Sequence, residues 1–169
     1  MNIDEIYMHL ALDKAWEYQG LTYPNPAVGA VVTCNGEIVA VEAHQKAGTS
    51  HAEVLALLSA YKKLSNNTID FDPQDAKKAH DFLLNLPVNF FSECTIYVTL
   101  EPCSHQGKTP SCASLLESLH LLRIVIGIKD PIAGHDGGIE IVGRGALTPK
   151  IAVGVLKEAC DDLIQPFLI

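Results

Sequence analysis

Apolar runs of strand length alternate along this chain with segments whose apolar residues recur every three or four positions. A period near two belongs to strands and a period of 3.6 to helices. The alternation therefore confines the chain to an α/β layered domain. Ile3, Tyr7, Leu10, Ala11, Ala15 and Tyr18 predict a helix over 3–19, with Gly20 as its stop. Ala27 to Thr33 is almost continuously apolar, as in a strand covered on both faces. Asn35-Gly36 is a strong hairpin signal, so 37–41 should return antiparallel and make the sheet mixed. Further strands are expected at 95–100, 123–128 and 150–153. Helices are expected after Ser50, from Pro110 to about Leu121, briefly after Gly137-Gly138, and over 156–163. Ser50 is placed to cap the first of these, with Glu53 as its capping-box partner.

Residues 62–92 stand apart. Asn66-Asn67-Thr68 marks a loop, Asp72-Pro73 a helix start, and Ala76, Ala79, Phe82, Leu83 and Leu86 keep helical spacing up to Pro87. We expect a helical insertion there, within a single domain spanning 1–169. Twelve Lys and Arg against twenty Asp and Glu give a net charge of −8, which argues against a nucleic-acid partner. No apolar run reaches the ~18–20 residues of a membrane helix. The first residues lack the basic flank and apolar run of a signal peptide. Five cysteines, an odd number at low density, point to a reducing cytoplasm and to free or metal-bound thiols.

Two short segments carry the chemistry: His51-Ala52-Glu53, and Glu101 through Cys112. His51, Cys103 and Cys112 make a sound three-ligand zinc set that leaves a fourth tetrahedral position open. A structural zinc would need a fourth protein ligand, which only His44 or His105 could offer. Zinc lowers the pKa of water toward about 7. Glu53, two residues after His51 on the same first turn, need not be a ligand and can serve as the acid–base group instead. Cys34, Cys94 and Cys160 lie in or beside apolar stretches and read as packing thiols. His9, His80, His120 and His135 read as surface or helix residues, and Gly137-Gly138 as a turn rather than a phosphate loop.

His-Ala-Glu followed by Pro-Cys and a second Cys resembles the zinc-dependent cytidine deaminase superfamily. Many of its members carry Pro-Cys-x-x-Cys, whereas here Gln106 stands three residues after Cys103 and the next cysteine is Cys112. That longer loop resembles the deaminase domains of the bifunctional riboflavin-biosynthesis proteins. Pro24 through Val32, Ala43 through Glu53, Tyr97 through Cys103 and Asp130-Pro131 resemble that family too. The resemblance implies a cytidine deaminase-like, three-layer α/β/α sandwich with a mixed five-stranded sheet. It implies Zn2+ on His51, Cys103 and Cys112, with Glu53 as proton shuttle. Asn25, His44, His105 and Lys108 would hold a small pyrimidine nucleotide, 2,5-diamino-6-(5-phosphoribosylamino)pyrimidin-4(3H)-one, for deamination at its 2-amino group. Members usually continue into an NADPH-dependent reductase domain; this sequence shows no dinucleotide-binding segment, so none is expected, and a homo-oligomer, dimer or larger, is.

A related deaminase acting on a free base, a nucleoside or tRNA is the alternative enzyme. The charge of −8 and the absent Cys-x-x-Cys weigh against tRNA, and Lys108 favours a phosphorylated small molecule. A non-catalytic zinc-binding module would have no use for Glu53 beside an open site.

Overall fold

A computed structural model describes residues 1–104, 109–132, 136–144 and 149–168. In chain order the elements are α1 (Ile3–Trp16), β1 (Gly29–Cys34), β2 (Glu37–Ala43), α2 (Ala52–Ser65), α3 (Ala76–Leu84) and β3 (Cys94–Leu100). They continue with α4 (Cys112–Ser118), β4 (Arg123–Ile128), α5 (Gly138–Val142), β5 (Lys150–Val153) and α6 (Lys157–Leu168). The five strands form one sheet in the order β2-β1-β3-β4-β5. β1 pairs antiparallel with β2 and β3, while β3–β4 and β4–β5 are parallel, so the sheet is mixed as expected.

Strand alternation divides the side chains between two cores. Ala30, Val32, Ile96, Val98, Ile124 and Ile126 point into the core shared with α2 and α4. Val31, Tyr97 and Val125 point the other way, into the core with Met8, Ala11 and Leu12 of α1 and Leu163 and Ile164 of α6. Both sheet faces are thus covered by helices, which completes the three layers and explains the unbroken apolar runs of the central strands. α1 crosses β1 so closely that a Cβ on Gly29 would lie 1.9 Å from the Ala11 carbonyl oxygen, so no side chain fits there.

Helix boundaries depart from the sequence expectations for local reasons. α1 begins with a capping box formed by Asn2 and Glu5 and ends at Trp16, short of the expected residue 19. α2 runs on to Ser65, where Asn66 closes it in the left-handed conformation. α4 stops at Ser118: His120 turns to a left-handed φ of 53°, and Leu122 then donates its backbone N–H to the Cys94 carbonyl. α3 is capped by Asp75, whose side chain accepts from the Lys78 N–H; Asp72 accepts from Gln74 N–H instead of starting the helix. Around α3 the chain is anchored by aromatic contacts: Tyr61 of α2 meets Phe82 and Phe90, and Phe71 meets Phe82. Phe91 is fully buried in the α2–α4 core, so this segment belongs to the packed domain.

Candidate active site

The site is assembled from two helix starts and the end of a central strand. α2 opens with His51 as its N-cap residue, in an extended conformation and without a side-chain cap bond. The expected Ser50–Glu53 capping box does not form. Ser50 lies one position outside the cap, and its hydroxyl donates to the Pro73 carbonyl at 2.5 Å. Glu53 turns inward instead and is only 4% exposed.

β3 runs into Glu101-Pro102-Cys103. Glu101 is buried and accepts three backbone N–H groups, from Asp130, Gly137 and Ile139. This draws the start of α5 against the strand end. There a Cβ on Gly138 would lie 1.8 Å from the Pro102 carbonyl oxygen, so that glycine serves close packing. Cys103 is gripped from α4: its carbonyl accepts from Ser111 Oγ at 3.0 Å and from Ala113 N–H at 3.0 Å, and its sulfur accepts from Cys112 N–H at 3.2 Å. Ser111 also caps α4 by accepting from Ser114 N–H.

These contacts bring His51, Cys103 and Cys112 together, with one ligand atom from each lying within 4.8 Å of the others. His51 Nδ1 lies 3.8 Å from Cys103 Sγ and 3.5 Å from Cys112 Sγ. Metal–sulfur bonds of about 2.3 Å and metal–nitrogen bonds of about 2.0–2.1 Å at a tetrahedral angle place S and N about 3.6 Å apart. The donor atoms present fit a zinc ion, with Nδ1 as the imidazole ligand atom.

Electrostatics distinguish the members. The hydrogen bond from the Cys112 thiol, with His51 beside it, outweighs burial and pushes Cys103 down to about 4. Cys112 is held high by that same hydrogen bond and by burial. Burial opposes charge on His51, but the sulfur of Cys103 prevails and raises its pKa. Burial pushes Glu53 up to about 7, against the pull of His51, which is the range for moving protons near neutrality.

Asn25 and His44 stand on the same cavity wall. Hydrogen bonds between Thr22 and Asn25 hold the turn that carries Asn25, where the Tyr23–Pro24 peptide is cis. The two residues meet each other: Asn25 Nδ2 donates to His44 Nε2 at 3.0 Å, and His44 Nδ1–H donates to the Ser50 carbonyl at 3.1 Å. Burial, with His51 nearby, lowers His44 to about 4, so it stays neutral. The cavity measures about 300 Å³, and Glu53, His51 and Cys103 line it. His105 and Lys108 lie outside the described residues.

Sequence reasoning missed three contributors. Thr109 Oγ1 lies 3.1 Å from His51 Nε2. Glu101 stands in the sequence as part of the Glu-Pro-Cys motif, with nothing local to announce its three backbone partners. Phe167 of α6 reaches the cavity wall from the far end of the chain, where no local signal announces it. His80, read as a surface or helix residue, is on α3 but buried. Cys94 and Cys160 are buried and Cys34 is half-buried, as packing thiols would be.

Residues 1–128 match the cytidine and deoxycytidylate deaminase zinc-binding region. The chain belongs to the cytidine and deoxycytidylate deaminase family. Within this deaminase family it is similar to riboflavin biosynthesis protein RibD of Escherichia coli, 39% identical over 98% of this chain and 37% of the relative. RibD of Aquifex aeolicus is 37% identical over 98% of this chain and 38% of that protein. A solved structure of a diaminohydroxyphosphoribosylaminopyrimidine deaminase/5-amino-6-(5-phosphoribosylamino)uracil reductase from Thermotoga maritima superposes with a TM-score of 0.76. It is 33% identical, over 98% of this chain and 40% of that one. The chain thus spans less than half the length of each of these relatives.

Proposed function

We propose that the chain is a single zinc-dependent deaminase domain acting on 2,5-diamino-6-(5-phosphoribosylamino)pyrimidin-4(3H)-one. The products are 5-amino-6-(5-phosphoribosylamino)uracil and ammonia. The observation that carries the reading is the buried Glu53 beside a His51–Cys103–Cys112 donor set in one cavity. The similarity to RibD supports the choice of substrate. His51 Nδ1 and the sulfurs of Cys103 and Cys112 hold zinc, which when bound supplies Lewis acidity and lowers the pKa of a water toward about 7.

Glu53 accepts a proton from the attacking water and delivers it to the ring nitrogen beside the carbon that carries the amine. That carbon gains a C–O bond. Glu53 then takes the remaining proton from the new hydroxyl and passes it to the amine; the C–N bond breaks, the C–O bond becomes a carbonyl and ammonia leaves. Burial near neutrality lets the same carboxyl both take and give protons, a contribution of about 10²–10⁴-fold. Asn25 and His44, already oriented on one another, line the same cavity and present polar groups to the substrate. His105 and Lys108 complete substrate binding, with the lysine suited to the phosphate or to a ring carbonyl.

The test is ammonia release by the zinc-loaded chain from the diaminopyrimidine ribosyl phosphate, from cytidine and from a tRNA anticodon stem. Turnover of the first compound alone is expected. Preference for cytidine or the tRNA stem would replace the substrate assignment, and zinc bound with no turnover of any would leave a non-catalytic module.

A further inference from the structure

We infer that Thr109 is a positioning residue for the metal-ligating imidazole: its hydroxyl accepts Nε2–H of His51 and so keeps Nδ1 deprotonated toward the two sulfurs. The inference rests on the zinc reading above. A neutral imidazole carries one proton on two nitrogens, so a ring that ligates through Nδ1 must hold its proton on Nε2. Nδ1 is the nitrogen that faces Cys103 and Cys112, and on the other side Thr109 Oγ1 stands 3.1 Å from Nε2. Thr109 is buried, so its hydroxyl is placed for a protein partner.

The local backbone does little to fix the His51 ring. As an N-cap residue with extended backbone, it lies outside the helical ladder that would restrict its side chain. The ring of His44 stands edge-on to it at 5.0 Å between centroids and 76°, which limits tilt but does not choose the protonated nitrogen. Thr109 makes that choice.

Its place in the chain couples the ligands. Pro110 follows and restricts Thr109 to extended conformations. Ser111 then caps α4 and ties itself to the Cys103 carbonyl, and Cys112 opens the helix. The residue that orients one ligand thus sits on the short segment that fixes the other two. A hydroxyl also suits the charge balance. With zinc bound both cysteines would be thiolates and would neutralise the divalent ion, and a carboxylate at Thr109 would add a negative charge to the cavity that Glu53 lines.

The experiment compares the parent with Thr109→Val and Thr109→Ser, all as the full chain, by competing zinc away with a chromogenic chelator. Valine keeps the size and loses the acceptor; serine keeps the acceptor and loses the methyl. We expect Thr109→Val to bind zinc about 10–100-fold more weakly and Thr109→Ser to stay near the parent. The reverse order would assign Thr109 a packing role only, and equal affinity in all three would remove any role. Should Thr109→Val fail to fold, nitrogen-15 NMR of the zinc-loaded parent decides. A His51 Nε2–H proton protected from exchange supports the inference, and one exchanging like that of an exposed histidine overturns it. A parent that binds no zinc would defeat the zinc reading itself, a result distinct from either.

Discussion

Two carboxylates, Asp4 and Glu53, are pushed in opposite directions by the same fold. Asp4, on α1, accepts from both terminal nitrogens of Arg123, at 3.1 and 2.9 Å, and from the Tyr97 hydroxyl at 2.9 Å. The hydrogen bonds from Arg123 outweigh partial burial and hold its carboxyl below the ordinary value. Glu53, on α2, is more deeply buried, and burial outweighs the pull of His51 and raises it to about 7. The first arrangement ties a helix layer to β3 and β4 and serves stability. On the proposed function, the second holds an acid–base group near neutrality. The difference teaches that burial alone does not define a role; what matters is whether the buried charge is matched.

The strongest way to break this contrast is to remove a metal ligand. Cys103→Ala should lose zinc and turnover together while the Asp4 cluster, on the opposite face of the sheet, stays intact. Metal analysis with thermal melting checks this, and retained stoichiometric zinc would contradict the ligand set. Next, Glu53→Gln should keep zinc and fold but lower kcat on the order of 10²-fold or more, because an amide cannot shuttle protons. Steady-state rates equal to the parent's would move proton transfer to another group.

Ser111 tests the boundary between the two kinds of residue. It lies beside the site, yet its hydroxyl both accepts from Ser114 N–H and donates to the Cys103 carbonyl. Ser111→Ala should therefore cost about 1–2 kcal/mol of stability, the upper range for a lost cap, with kcat at the parent's order of magnitude. Denaturant unfolding and kinetics on the same sample separate the effects; a kcat loss as deep as that of Glu53→Gln would erase the distinction. The smallest expected effect is that of Asp4→Asn, about 0.5–1 kcal/mol, because the Arg123 pair is partly solvated. Its pH dependence has a fixed sign. The folded pKa of Asp4 lies below the ordinary 3.8, so the stabilisation is fully present above that value and is lost as pH falls through the folded one. Urea midpoints of parent and variant should differ at pH 7 and converge in acid; a gap that widens in acid would reverse the assignment.

The strand-and-helix alternation was legible in the sequence, and so was the chemistry of the ligands. Both follow from local facts: side-chain period is a property of the backbone, and residue type fixes what an atom can donate or bind. The Ser50–Glu53 expectation failed on a local ambiguity, since a serine one position before the true cap looks like a cap until the backbone is known. The start of α3 failed likewise, with Asp75 rather than Asp72 in the capping place.

The sequence by itself determined that the chain would layer helices on a mixed sheet, and it singled out His51, Cys103, Cys112 and Glu53 as residue types whose chemistry suits the proposed metal and proton work. Tertiary structure alone decided the strand order β2-β1-β3-β4-β5, which sets the helix starts of α2 and α4 beside the end of β3. It also decided the long-range pairs: Thr109 with His51, 58 residues apart, and Arg123 with Asp4, 119 apart. The physical reason is that a pKa or a second hydrogen-bond partner depends on everything packed around a group. For Glu53 and Asp4 those surroundings come from segments distant in the chain, brought together only when the layers close.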